Sequence, residues 1–464
     1  MEGITWGALL DFAYLGLFLL IATFLRSRIK FLQKFLIPNN ILAGLLGLFL
    51  GQYLFKVLDP DVLGSYVYHL LTAAYIAMGL RGSNVKRGYG AITTMTIHCQ
   101  IFAVQGLLGL LFTLILILTY FPHLFPSFGV QLVMGFGQNP GVAYSMGKTW
   151  ETMGFFGGGQ VGLAFGALGF LFAYVVGIVL INWGVRHKKT TLFKGYDKIK
   201  PSVFTGIIAR SEQKMEAGKL TTASEAIDTL ALQGALIGLV FLITYHFITN
   251  VTGLLAGLGE AGEDFASLIG GFGFVFGAIF ALLVRFAFTR FKIDHVIDKG
   301  LMTRLSGFFI DFMVCAAIAA ISFTMISTYW KEILALAFIG GVITLLLVYF
   351  LSNKMHLDHK FERMLASFGL ATGTVSSGLA LLRVVDAHFD TPVAEDLVYS
   401  GGMAIFFALP ILLVANIPAL GYPDQSVEAI IRTMLIIIAY IIVLFVFWKV
   451  YQNIYQRRTR EDVK

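Results

Sequence analysis

The chain has little of what a soluble enzyme needs. It holds only two cysteines, Cys99 and Cys315, in 464 residues, and both lie inside apolar runs. A disulfide framework or a cysteine-spaced metal site is therefore not expected, and core packing is the plain reading of both thiols. Charge is equally scarce, at 13% of residues against 57% hydrophobic. With a mean hydropathy of +0.80, the apolar surface exceeds what a water-soluble core could hide. His-Glu-x-x-His and Gly-x-Ser-x-Gly are both missing, so an intramembrane hydrolase has no recognisable centre and the chain is not read as an enzyme.

What is present is a polytopic all-α membrane protein. Hydropathy predicts about eleven spans, near residues 5–25, 37–55, 63–80, 90–121, 158–184, 227–250, 267–289, 305–327, 331–351, 397–418 and 427–449. The first follows no basic stretch and is too long for a signal core, so it reads as a retained helix. With the N-terminus outside, about 29 of the 34 Lys and Arg fall on cytoplasmic segments, among them Arg81–Arg87, Arg186–Lys219 and Lys449–Lys464. Acidic residues such as Asp59, Asp61, Glu263 and Asp424 fall outside. The net charge of +7 is then a topology signal that leaves the C-terminus cytoplasmic and gives no reason to invoke nucleic acid.

Two segments are too polar and glycine-rich to span. Phe136-Gly137-Gln138-Asn139-Pro140-Gly141-Val142-Ala143-Tyr144-Ser145 and Phe368-Gly369-Leu370-Ala371-Thr372-Gly373-Thr374-Val375-Ser376-Ser377 share Phe-Gly, three residues, Gly, three residues, Ser. Broken backbone at membrane depth is tolerated only inside protein or beside a wet cavity. The two are read as re-entrant hairpins at about 126–147 and 360–383. The charge-derived topology makes them enter from opposite faces, so the chain divides into a first inverted repeat (1–185), a cytoplasmic linker (186–226), a second inverted repeat (227–424) and an extra C-terminal helix with a basic tail (425–464). Thr72–Ala77 and Cys315–Ala320 form a weaker internal match. In the linker, Thr222-Ala223-Ser224-Glu225 looks like a helix start.

Hydroxyls, amide oxygens and the free carbonyls of half-helix ends are what alkali ions bind, and half-helix N-termini favour anions. Candidate substrate contacts are Gln138, Asn139, Gly141, Ser145, Thr372, Gly373, Thr374, Ser376, Ser377 and Arg383, the last as a bidentate clamp on a carboxylate or a partner of Asp386 or Asp390. Candidate sodium ligands are Asp311, Asn139, Thr372 and Thr374, with an ion pair as the other reading of Asp311. Lys148 and Glu151 suit a gate or a surface pair. Asn39 and Asn40, after Pro38, are read as helix caps. His98, Gln100, Gln105, Gln160 and Gln233 are read as satisfied between helices.

The Ile37-Pro38-Asn39-Asn40-Ile41-Leu42-Ala43-Gly44 start of the second span, the glycine-rich first hairpin and Phe368-Gly369-Leu370, in this order within two repeats, resemble the glutamate:sodium symporter family over roughly residues 5–420. The resemblance implies sodium-driven import of L-glutamate across the plasma or inner membrane, a homodimer, two domains per protomer and an elevator-like movement of the hairpin-bearing domain. The hairpins depart from the family's Gly-Gly-His-Gly-Thr-Gly and Gly-Phe-Gly-Leu-Gly-Ala-Thr-Pro-Thr, and the C-terminal helix is additional. Another organic anion as substrate, or sodium/proton antiport, stays open. Antiport is the weaker reading, because no span carries paired carboxylates.

Overall fold

The computed structural model describes residues 7–35, 37–81, 88–191, 201–208, 210, 212, 216–386, 390–424 and 426–461. The expectations for the basic loop at 82–87, for most of the linker before Pro201, and for the extreme termini lie outside the described residues. Among the described residues the chain is mostly helical with no strands, and nine helices are long and apolar enough to cross a membrane.

The first group of helices opens with α1 (Gly7–Arg28), which carries Arg26 and Arg28 in its last turn. There follow α2 (Asn39–Leu46), which widens into π turns at Gly47–Leu54, and α3 (Pro60–Arg81). The span expected at 37–55 is thus a short helix whose second half is π, and neither it nor the span expected at 397–418 is among the nine. The group is completed after the linker by α7 (Thr229–Ala256), α8 (Glu260–Gly271), α9 (Gly273–Arg290) and α10 (Lys299–Ala319). For clarity, α4 is Tyr89–Thr119, α5 is Pro140–Glu151 and α6 is Gly158–Arg186. These three pack with α11 (Trp330–Met355), α12 (Lys360–Ala371), α13 (Val375–Val385), α14 (Val393–Val414) and α15 (Ser426–Glu461) as a second group.

Each group is held by apolar faces. In the first, Ala73, Ile76, Ala77 and Leu80 of α3 meet Leu236, Ile237 and Val240 of α7, Ala281 of α9 and Met302 of α10. In the second, α4 is the central strut. At 31 residues it is about 46 Å long by its rise per residue, longer than the ~30 Å hydrocarbon layer, and it touches α11, α12, α14 and α15. The additional helix α15 covers α4, where Leu444 packs on Met95 and Cys99. Cys99 and Cys315 are free and buried.

One buried ion cluster pins an end of the second group. Arg363, only 2% exposed, donates to Asp358 at 2.9 Å and to Asp396 at 2.8 Å. A buried guanidinium needs such partners, since its desolvation costs several kcal/mol when unpaired. His356, just beyond α11, is held well below the ordinary imidazole range, first by burial and then by Arg363 and the other nearby cationic groups.

Two capping expectations are corrected. Asn39 does not cap α2: its amide donates to Leu19 O (3.1 Å) and Thr23 Oγ1 (2.9 Å) on α1, whereas Asn40 Oδ1 accepts from Ile41 N in the first turn at 2.8 Å while its amide donates to Asp311 Oδ1 at 2.8 Å. The polar pair ties three helices together. Likewise α7 does not start at Thr222–Glu225, which forms turns. Its cap is Asp228, whose Oδ1 accepts from Ala231 N at 2.8 Å, while the Thr222 hydroxyl is spent on Ile227 O.

Candidate functional site

Both glycine-rich segments are breaks between short helices. In the first, π turns at Val133–Gln138 lead to Asn139, which is extended at φ 176° and ψ 166°, and α5 then opens on Pro140. Proline fits there because its missing N–H would be an unpaired helix-start donor in any case. Asn139 caps the new helix, with Oδ1 accepting from Val142 N at 3.0 Å, and its amide reaches the Tyr75 hydroxyl of α3 at 3.4 Å. In the second, α12 ends at Ala371, Thr374 is extended, and α13 opens on Val375. The α12 carbonyl freed at Ala371 is satisfied by Gln105 of α4, whose amide donates to it at 3.0 Å and to Thr344 Oγ1 at 2.9 Å. Helices α12 and α13 then fold back on each other, so closely that a Cβ on Gly369 would stand 2.7 Å from Gly378 Cα.

The two breaks converge on the middle of α6. A Cβ on Gly166 would lie 2.6 Å from Pro140 Cγ, and one on Gly169 would lie 2.8 Å from Thr372 O and 3.0 Å from Phe136 Cδ1. Both glycines are there because backbone from each half must approach α6 more closely than a methyl group permits.

In front of the converged breaks lies a cavity of about 210 Å³. Gln138 and Asn139 come from the first break, and Thr374, Val375 and Ser376 from the second. Helix α3 supplies Leu71, Tyr75, Met78 and Arg81, and α10 supplies Thr303, Ser306, Gly307, Ile310 and Met313. Leu370, Leu379, Val398, Gly401 and Ala404 give it apolar walls. The start of α13 borders it, so free backbone amides and a positive helix end face the cavity there, while the start of α5, where Pro140 has no N–H and Val142 N is taken by Asn139 Oδ1, contributes its helix end alone.

A second hollow, about 620 Å³, lies at the other end of α5, among Asp61, Tyr68, His69, Tyr144, Ser145, Lys148 and Gly271. The two are separated where α5 meets α3 and α10. A Cβ on Gly141 would be 3.1 Å from both Leu71 Cδ1 and Met313 Sδ, and both side chains are buried.

The sequence-predicted residues thus divide. Gln138, Asn139, Thr374 and Ser376 line the cavity. Gly141 is packed in the partition, and Ser145 faces the second hollow, where its hydroxyl donates to Gly271 O at 2.6 Å. Thr372 is fully buried behind Gly169 with its hydroxyl donated to Phe368 O, and Gly373 and Ser377 are buried or packed beside Phe170. Arg383 sits in the last turn of α13, nine residues beyond Thr374, about 13 Å along the helix. Asp386 is engaged by Asp390 N, Thr391 N and the Thr391 hydroxyl. Asp311 faces α2 and Asn40 rather than the cavity, so the four candidate sodium ligands are not gathered at one point. Lys148 and Glu151 form an exposed pair at 2.7 Å.

Tyr75, Arg81, Thr303 and Ser306 were not singled out by sequence reasoning. A faint signal exists: 71, 75, 78 and 81 on α3, and 303, 306, 310 and 313 on α10, recur at helical spacing and mark one face each. No protein-family model, curated protein or solved structure matches the chain.

Proposed function

We propose that the chain is a secondary active symporter that couples sodium entry to import of a small carboxylate, with L-glutamate the first substrate to test, by elevator-like alternating access. The observation that carries this reading is the meeting of two helix breaks, one from each half of the sequence, at a single cavity whose largely apolar wall is interrupted by Gln138, Asn139, Thr374 and Ser376. Substrate anion would sit against the starts of α5 and α13, and sodium against carbonyls and hydroxyls of the opposite half-helix ends.

Two further features support the finer parts of the reading. The packing of the halves corresponds: α1 lies on α2 as α7 lies on α8 and α9, and α2 lies on α10 as α9 lies on α3. The first broken segment leans on α4 as the second leans on α11. This correspondence supports reading the chain as two inverted repeats with re-entrant hairpins. The distribution of basic residues puts the N-terminus outside and the C-terminus in the cytoplasm of a plasma or inner membrane. Arg81 and Thr303 then set the cavity toward the cytoplasm and Asp61 sets the second hollow toward the exterior, so this conformation faces inward. A homodimer is proposed on the family resemblance alone.

The test is uptake by purified protein in liposomes. Labelled L-glutamate is expected to accumulate under an inward sodium gradient and not under a matched potassium gradient. Equal uptake in both would remove sodium from the mechanism, and uptake of succinate but not glutamate would keep the mechanism and change the substrate.

A further inference from the structure

Resting on the transport reading above, we propose that Arg81 reads the negative charge of the substrate, its guanidinium receiving a carboxylate in the cavity between the two breaks. Among the described residues that line this cavity, Arg81 is the one that carries charge. Its neighbours there are amides and hydroxyls, Gln138, Asn139, Thr303 and Ser306, which can complete the shell of a bound carboxylate but cannot neutralise a cation.

Three arginines elsewhere have carboxylate partners, whereas Arg81, like Arg26, has none among the described residues; what sets Arg81 apart is its place in the cavity lining. Arg363 is clasped by Asp358 and Asp396, Arg285 lies 3.6 Å from Asp294, and Arg432 holds Glu428 at 2.6 Å. Arg81 has no carboxylate partner among the described residues, although it is partly buried. A guanidinium removed from bulk water favours an anionic partner, and its planar fork suits a carboxylate better than it suits a point charge. An arginine that served only as a topological anchor would extend its head toward headgroups and water; this one borders the cavity at the foot of two helix breaks. Arg383, the arginine first expected to clamp substrate, lies away from the cavity.

The experiment compares wild type, Arg81→Lys and Arg81→Gln in liposomes, with labelled L-glutamate and labelled succinate as probes. Arg81→Gln is expected to raise the KM for the transported anion about ten- to a hundred-fold, the range for losing a hydrogen bond to a charged group. Arg81→Lys should recover part of that loss, and the maximal rate should fall much less than the KM rises. A wild-type KM in Arg81→Gln overturns the assignment while leaving transport intact. Wild-type protein that carries neither anion removes the transport reading and this inference with it. Should Arg81→Gln not fold, modification of wild-type protein by phenylglyoxal decides the matter: the transported anion should slow reaction at Arg81 and not at the exposed Arg432, and equal rates at Arg81 with and without the anion overturn the proposal.

Discussion

Asn139 does two jobs that can be separated by substitution. Its Oδ1 caps α5 and its amide turns to Tyr75, and the same side chain borders the cavity. Asn139→Ala removes the cap, which costs about 0.5–2 kcal/mol, and should lower the melting temperature as well as weaken uptake. Asn139→Asp keeps an acceptor for Val142 N but places a negative charge beside the substrate. Melting should stay close to wild type in Asp while uptake of the anion falls at least as far as in Ala. Uptake by Asp equal to wild type would take Asn139 out of the site. The importance of Asn139 was legible in sequence because an amide before a proline in an apolar run has few other uses. Arg81 was not, because an arginine at the end of a span, beside Lys86 and Arg87, already has a sufficient explanation in topology. Asn40 and Asp311 show the same limit: 271 positions apart, they could not be paired without the packing of α2 on α10.

At the scale of helices, the apolar runs and the polar breaks were readable because each is a local property of composition. Where they would meet was not, since that depends on α6, whose glycines looked like ordinary close-packing residues. Gly166 and Gly169 decide how near the two breaks come. A methyl at 169 would press on the Thr372 carbonyl, which is backbone and cannot turn aside. Overpacking of this kind costs about 1–3 kcal/mol, and it would push α12 and α13 away from the first break. Gly169→Ala is therefore expected to reduce the rate of uptake by at least as much as Arg81→Gln reduces affinity. Gly307→Ala, on the cavity side of α10 where a Cβ meets nothing within 4 Å, should leave folding unchanged. A Gly169→Ala protein with wild-type melting and uptake would mean that the breaks need not touch.

The whole molecule is two packed groups of helices that meet along α5. On one side are α3 and α10, whose small apolar faces lock to each other and to α7 and α9; on the other is the second group, with both breaks, built around α4. Between the cavity and the second hollow, Gly141 packs against Leu71 and Met313. This contact is apolar, and the hydrogen bonds that cross the seam beside it include Asn139 to Tyr75 and Ser145 to Gly271 O, so sliding one group past the other would break a small number of polar contacts. A covalent link across this seam should therefore stop turnover without emptying the site. In a chain with Cys99→Ala and Cys315→Ala, the pair Gly141→Cys and Met313→Cys can be joined by oxidation or by a short thiol-specific cross-linker. Joined protein is expected to lose at least ten-fold in uptake, to regain it on reduction, and to keep the rise in melting temperature that sodium and substrate together produce. Full uptake by protein shown to be cross-linked would mean that the two groups do not move along this seam. The substrate would then have to enter from the exterior by local opening of α5 alone, and the second hollow beside Ser145 would be its way in.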